Sequence, residues 1–385
     1  MNKTGAYIPF GKPDFGDEEI AAVTRVLRSG WIGQGPEALE FEKELAQYID
    51  IPHVVTVNSC TSALFLSLVV SGVKAGDEVI VPSLTWCSTA NAVLYCGARP
   101  IFCDVDSETL CVTGETVAAQ LTPRTKAVIV VHMGGMAADV DAIRQALPPE
   151  VVIIEDAAHA LGGRYSNGSM VGASGNLACF SFYANKNLST GEGGAVALAD
   201  RKLAARMQSL RLHALPTDAW KRFTAPELRF PQNLEELGYK MNYTDLQAAI
   251  GRVQLRRMPE LQARRYETAR RYAKTLGKIE GVRLQAGVLE PRHARHLFLV
   301  QLPVQRLKKS RDDIIMDLRC RNVGASLHYV PLHQMPLYQT QVSLPVTEEA
   351  ALQLLTLPIG PCVGNAEADY ICEQVLDVLE SAGMK

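Results

Sequence analysis

The sequence has 385 residues, 47% of them hydrophobic, enough for a large core and two domains rather than one. Its 39 basic and 41 acidic residues nearly cancel, which argues against a nucleic-acid surface or a polybasic membrane patch. The opening segment has no apolar signal-peptide core and no apolar run reaches the roughly 18 residues that span a bilayer, so a soluble, cytoplasmic protein with no membrane partner is expected. The first predicted element is GDEEIAAVTRVLRSG (16–30), a helix marked by apolar Ile20, Val23 and Leu27, acids in its first turn and Ser29-Gly30 as a stop. Short β-rich runs follow at 53–59, 78–84, 100–105, 127–133, 151–158, 177–183 and 193–199. Several are apolar on both faces and separated by helix-length segments, the pattern of a mainly parallel seven-stranded sheet covered by helices, an α/β fold. The last two runs lie too close together for a helical crossover, so one of that pair is expected to run antiparallel. From NYTDLQAAIGRVQLRRMPELQARR onward the chain reads as a long charged helix with Thr244 or Asp245 as its cap. A smaller α+β region follows, with strands near 296–302 and 324–330 and a last helix after Asn365. The division is drawn between a large domain, 1–245, and a small C-terminal domain, 246–385.

In open α/β sheets ligands collect outside the carboxyl ends of the strands. The polar residues at those ends are Asn58 to Ser62, Ser83 to Trp86, His132, Glu155, Asp156 with His159, and Ser181 with Lys186. Asp156 ends an apolar run; a plain turn cap is one reading, and a D-x-x-H metal pair lacks further ligands, so no metal site is expected. Ser59, Cys60 and Thr61 precede an apolar helix whose first N–H groups suit a phosphate, although an ordinary N-cap looks the same in sequence. Neither a Walker loop nor a G-x-G-x-x-G fingerprint is present. Nine cysteines, an odd number with no C-x-x-C pair, read as buried free thiols. Lys186 is the conspicuous residue: a lysine at the dry end of a strand, before a glycine-rich turn, is paired or reactive. A buried acid, an anion-binding helix start, the flat Trp86 and this lysine together suit pyridoxal 5'-phosphate (PLP). That cofactor needs a lysine for its aldehyde, an acid for its ring nitrogen and a site for its phosphate.

IEDAAHALGG, FSFYANKNLSTGEGGAV and YKMNYTDLQAAIGRVQL, with the opening IPFGKPDFGDEEIAAVTRVLRSGWIGQGP and the later PSLTWCSTANAV, VHMGG, HARHLF and LHYVPLH, closely resemble the DegT/DnrJ/EryC1/StrS group of sugar aminotransferases. These are fold-type-I, aspartate-aminotransferase-like, PLP-dependent enzymes, and the resemblance spans nearly the whole chain. Within the group the chain looks most like enzymes that aminate nucleotide-linked 4-keto sugars, of the UDP-4-amino-4-deoxyarabinose type. The resemblance implies that Lys186 carries the internal aldimine and moves the proton, that Asp156 pairs with the ring nitrogen, that Trp86 stacks on the ring and that His159 lies near its phenolic oxygen. It implies a phosphate site at Cys60, Thr61 and Ser181, completed by Asn242 from a second subunit, so that a homodimer shares its active sites. His328, Tyr329 and Tyr183 would meet the substrate, and Trp31 to Gly35, Gly33 among them, its nucleotide. Two departures stand out: Cys60 replaces the Gly or Ala of many relatives, and Tyr183 replaces the histidine of the arabinose type. The reaction expected is ping-pong transfer from L-glutamate to a nucleotide-linked sugar ketone. A keto-cyclitol aminotransferase of the scyllo-inosose type and a non-catalytic PLP-binding regulator are the alternatives.

Overall fold

The computed structural model describes residues 6–215, 234–338 and 340–384. Seven strands, β1 (His53–Val57), β2 (Glu78–Pro82), β3 (Arg99–Cys103), β4 (Thr125–Val131), β5 (Val152–Asp156), β6 (Leu177–Ser181) and β7 (Gly194–Leu198), form one sheet in the order β1-β7-β6-β5-β4-β2-β3. β7 runs antiparallel to both its neighbours and the remaining pairs are parallel. The segment between β6 and β7 holds no helix to carry a crossover, so β7 returns beside β6 and wedges in ahead of β1.

Successive residues along each strand feed opposite faces of the sheet. Val54, Ile80, Val128, Val130, Ile153, Phe180 and Ala195 join one core, together with Phe41, Leu45 and Ile49 of α2 (Pro36–Ile49). Val55, Val79, Val81, Ile129, Ile154, Cys179 and Val196 join the other, against Leu64, Leu66 and Leu68 of α3 (Cys60–Val70). Each such fully buried Leu, Ile or Phe contributes roughly 2 kcal/mol of transfer free energy. Strands apolar on both faces therefore sit where both faces are covered.

The first helix, α1 (Asp17–Ser29), turns its marking residues outward: Ile20 is 63% and Leu27 57% exposed, while Glu19, Ala22 and Val26 are buried. Glu19 draws the helix inward. Its carboxylate accepts from Gly16 N at 2.8 Å, Gln254 Nε2 at 2.8 Å and Arg257 Nη1 at 2.9 Å, and Ala22 and Val26 then settle on Ala249 and Val253. The partner of this helix is the long helix Asp245–Leu276, whose cap is Thr244: its hydroxyl accepts from Gln247 N. Asp245 instead accepts the N–H groups of Gly35 at 2.7 Å and Ala38 at 3.0 Å, fixing the start of α2. The division drawn between 245 and 246 falls at the start of this helix. Leu255 and Met258 belong to the core on one face of the large sheet; Ala269, Tyr272 and Leu276 belong to a third core.

That third core lies around a three-stranded antiparallel sheet, β10-β9-β8, built from β8 (Arg283–Leu284), β9 (Phe298–Gln301) and β10 (Leu354–Leu357), with helices Arg311–Cys320 and Asn365–Ser381. The strand expected at 324–330 does not form. Apolar, fully buried β10 takes the place beside β9, and 324–330 makes only an isolated bridge from Ser326 to Thr356 before running to the large sheet. No helix among the described residues is long and apolar enough to cross a membrane.

Candidate active site

The carboxyl ends of β4, β5 and β6 open on a cavity of about 490 Å³. Asp156, the last residue of β5, and Lys186, on the turn after β6, both line it. Asp156 is 5% exposed; it accepts the Thr89 hydroxyl at Oδ2 (2.8 Å) and Ala158 N at Oδ1 (3.2 Å). Burial pushes its carboxyl above the usual range, and neither these bonds nor the charge of Lys186 restores it. Burial acts on the lysine in the opposite sense. It lowers the amine to about 8, with Arg265 adding to the effect while Cys60 and Asp156 oppose it. Lys186 thus loses its proton close to neutrality, which is what a nucleophilic lysine requires. Its Nζ lies 3.3 Å from His296 Nε2.

The start of α3 forms another wall of the cavity. Ser59 caps α3 by accepting Ser62 N at 3.1 Å, and Cys60 and Thr61, in the first turn, line the cavity. That turn approaches β7 because residue 194 has no side chain: a Cβ there would lie 2.5 Å from Ser59 C and 2.6 Å from Cys60 N. This explains the glycine-rich stretch after the lysine. Cys60 Sγ stands 4.0 Å from Asp156 Oδ1 and 3.6 Å from the Cys179 carbonyl, and burial pushes the thiol well up, so it stays protonated.

The remaining walls come from the ends of strands of the large sheet and the loops after them, and from the segment 324–330. Trp86, 61% exposed, and Tyr183, 48% exposed, line the mouth. Ser181 lines the cavity beside them, its hydroxyl accepting Tyr183 N at 3.4 Å. His159 is buried; its Nε2 is 3.2 Å from the Tyr329 hydroxyl, and its Nδ1 has no partner among the described residues. Burial keeps this imidazole neutral, its pKa far below the ordinary value. His328 also lines the cavity, with Nδ1 2.9 Å from the Thr356 hydroxyl and its ring stacked 4.9 Å from Phe10.

Cys60, Thr61, Trp86, Asp156, His159, Ser181, Tyr183, Lys186, His328 and Tyr329 are thereby brought to one cavity. Of the residues given a role by the resemblance, Trp31, Gly33 and Asn242 lie elsewhere in this chain; of the polar strand-end residues, Asn58, Ser62, Ser83, His132 and Glu155 do not line the cavity. Trp31 lines a separate cleft of about 520 Å³ with Arg25 and Pro36. The Gly33 carbonyl accepts Asp245 N at 2.8 Å, and Asn242 does not line the Lys186 cavity. The sequence reading missed Thr89 and His296. Their signals were present, in the hydroxyl pair after PSLTWC and in the second histidine of HARHLF.

The donor set fits pyridoxal phosphate: an amine that sheds its proton near pH 8, a buried acid, an unpartnered imidazole nitrogen at His159, and a helix start kept open by Gly194. Comparison with known proteins agrees. The DegT/DnrJ/EryC1/StrS aminotransferase family matches residues 13–376. The chain is 39% identical, over 99% of its length and 100% of the other, to the spore coat polysaccharide biosynthesis protein SpsC of Bacillus subtilis (strain 168). Among solved structures it is similar to the aminotransferase TlmJ from Streptoalloteichus hindustanus, with a TM-score of 0.89 and 35% identity over 97% of this chain and 99% of that one. A Streptococcus pneumoniae protein in its PLP form gives a TM-score of 0.89 and 30% identity, covering 98% and 99% of the two chains. This chain, with its fold-type-I architecture, belongs to the DegT/DnrJ/EryC1/StrS family of PLP-dependent sugar aminotransferases.

Proposed function

We propose that the protein transfers the amino group of L-glutamate to a keto group, at C4, of a nucleotide-linked sugar. The observation that carries this reading is the opening of the Lys186 amine and the Asp156 carboxylate into one cavity with the start of α3. The nucleotide-linked substrate, the C4 position and the glutamate donor are supported by the motifs shared with enzymes that aminate such sugars. The polysaccharide-biosynthesis role named for SpsC is in keeping with an activated sugar.

Bound PLP supplies an aldehyde that takes up the amino group and a ring that withdraws electrons from the reacting carbon. The protein's own residues do the rest. Thr89 and the Ala158 N–H orient the Asp156 carboxylate, which holds a proton on the ring nitrogen; a cation there offsets the burial that raises its pKa. The N–H groups of Cys60 and Thr61, with Ser181, would hold the phosphate, and Asn242 of a second copy would complete that site. Trp86 would cover the ring, and His159, kept neutral with Nε2 held by Tyr329, would turn its unpartnered Nδ1 to the cofactor. Lys186 Nζ is the base that would take the proton from the donor's α-carbon and the acid that would give it back. Tyr183, His328 and Tyr329, which line the Lys186 cavity, meet the sugar. Nine unpaired cysteines suit a reducing compartment, and we place the enzyme in the cytoplasm.

The deciding experiment incubates the protein with glutamate and a panel of UDP-, GDP- and dTDP-linked keto sugars, with scyllo-inosose alongside, and weighs the products. An aminated nucleotide sugar is expected; amination of scyllo-inosose alone would move the assignment to keto-cyclitols. Lys186→Ala is expected to lower turnover on the order of 10⁴-fold or more and to abolish the visible absorbance of bound cofactor.

A further inference from the structure

The Lys186 amine is held at a built position. His296, whose Nε2 lies 3.3 Å away, is 4% exposed and sits on the turn that leads into β9. The carbonyls before it are gripped from two directions. Asn187, next to the lysine, donates Nδ2 to the Ala294 carbonyl at 2.8 Å, and Arg265 of the long helix donates Nη1 to the Arg295 carbonyl at 3.1 Å. Ala294 N and Leu297 N donate to the carbonyls of Gly135 (2.8 Å) and Gly134 (2.9 Å). Gly135, at φ 110°, admits no side chain there, since a Cβ would lie 2.9 Å from Arg295 N. Arg295 itself takes φ 55°. Burying Arg265 at 3% exposure, with no carboxylate bridging it among the described residues, is expensive unless the turn it holds matters.

We propose that His296 is a positioning residue for the catalytic amine: its Nε2 receives one N–H of the Lys186 amine whenever that amine is unbound, and so aims the lone pair into the cavity. The proposal rests on Lys186 being the cofactor lysine. A neutral imidazole has one acceptor nitrogen; with Nε2 accepting, the ring proton resides on Nδ1, which has no partner among the described residues. Burial pushes the pKa of this ring well below the ordinary value, aided by the positive charges of Lys186 and Arg265, with His159 and His328 also facing it. The ring therefore remains neutral at working pH, with one nitrogen able to accept. A lysine side chain has many rotamers, and an amine released by the incoming donor must stay within reach to act again. His296 restricts it to one position without removing its lone pair.

The test uses the full chain stripped of cofactor, as wild type, His296→Phe and His296→Gln. Binding of added PLP is followed by stopped-flow absorbance, and unfolding temperatures are measured in parallel. The phenylalanine variant, which keeps a ring but no acceptor, is expected to capture PLP about tenfold more slowly. The glutamine variant, whose Oε1 restores an acceptor, should lie within about threefold of wild type. Capture by His296→Phe at the wild-type rate, or by His296→Gln as slowly as by His296→Phe, overturns the proposal. If phenylalanine prevents folding, His296→Ala against His296→Gln makes the same comparison. Borohydride fixation followed by peptide mass spectrometry separates the two possible failures: a label on a lysine other than 186 removes the lysine assignment itself, and with it this role for His296.

Discussion

On β5 two consecutive carboxylates, Glu155 and Asp156, face opposite sides of the sheet, and their surroundings differ in kind. Glu155 accepts from His132 Nε2 at 2.8 Å, Tyr165 Oη at 2.5 Å, Asn176 Nδ2 at 2.8 Å and the Ser174 hydroxyl. His132 Nδ1 takes the Ala138 N–H at 3.0 Å, which puts the ring proton on Nε2. Burial pushes Glu155 up, yet these donors outweigh it and hold the carboxyl below its usual range. Asp156 has the Thr89 hydroxyl, one backbone N–H and a distant thiol, and burial wins. A buried carboxylate with its oxygens filled is part of the scaffold; one left under-satisfied and facing a cavity is fitted for a cation brought by something else. Two neighbours of the same charge are thus told apart by counting their donors.

The sharpest way to break this contrast is to neutralise each acid in turn. Asp156→Asn is expected to lower turnover on the order of 10³-fold, because the anion opposite the ring nitrogen is gone. The cofactor-free variant should be as stable as wild type or more so at neutral pH. A raised carboxyl pKa means that the ionised form is penalised in the fold, so wild type loses stability relative to the variant as pH climbs above 3.8, which thermal unfolding between pH 4 and 8 will reveal. Glu155→Gln should do the reverse, costing about 2–3 kcal/mol in denaturant unfolding while folded molecules keep turnover within a few-fold. Its pKa is lowered, so that loss is complete above pH 4.5 and fades as pH falls through the native value. Thr89→Val removes one of Asp156's few donors and should reduce kcat by roughly fivefold to tenfold, about 1 kcal/mol, with little change in unfolding temperature. The smallest effect is on Lys186. PLP capture by the cofactor-free chain should rise with pH about a midpoint near 8; Asp156→Asn should move that midpoint down, because the carboxylate favours the ammonium form, and Glu155→Gln should leave it in place.

Much of this was legible in the sequence because strands and site share one rule. Apolar runs end in polar residues at the carboxyl edge, so Asp156, Ser181 and Lys186 announce both the sheet and its ligand side. The antiparallel return of β7 followed from the short connection alone. Burial by pairing was harder to read. Glu19 goes inside α1 because Gln254 and Arg257, far along the chain, meet it there, and Ile20 and Leu27 are left outside. The absence of a strand at 324–330 depended on β10 winning the same edge, which no local pattern reports. His296 reaches Lys186 across 110 positions through a turn held by Arg265 and Asn187, and only its motif hinted at it.

Val57 faces Gly194 across the β1–β7 ladder, and α3 begins just beyond β1. The first turn of α3 is therefore packed against a segment that leaves the ribosome much later than it does. A chain ending at β6 lacks the strand that packs against that first turn, and without β7 the strand β1 has no sheet neighbour and one edge of β6 is unpaired. If that first turn holds the phosphate as proposed, cofactor loading would follow the insertion of β7 and report completed large-sheet assembly.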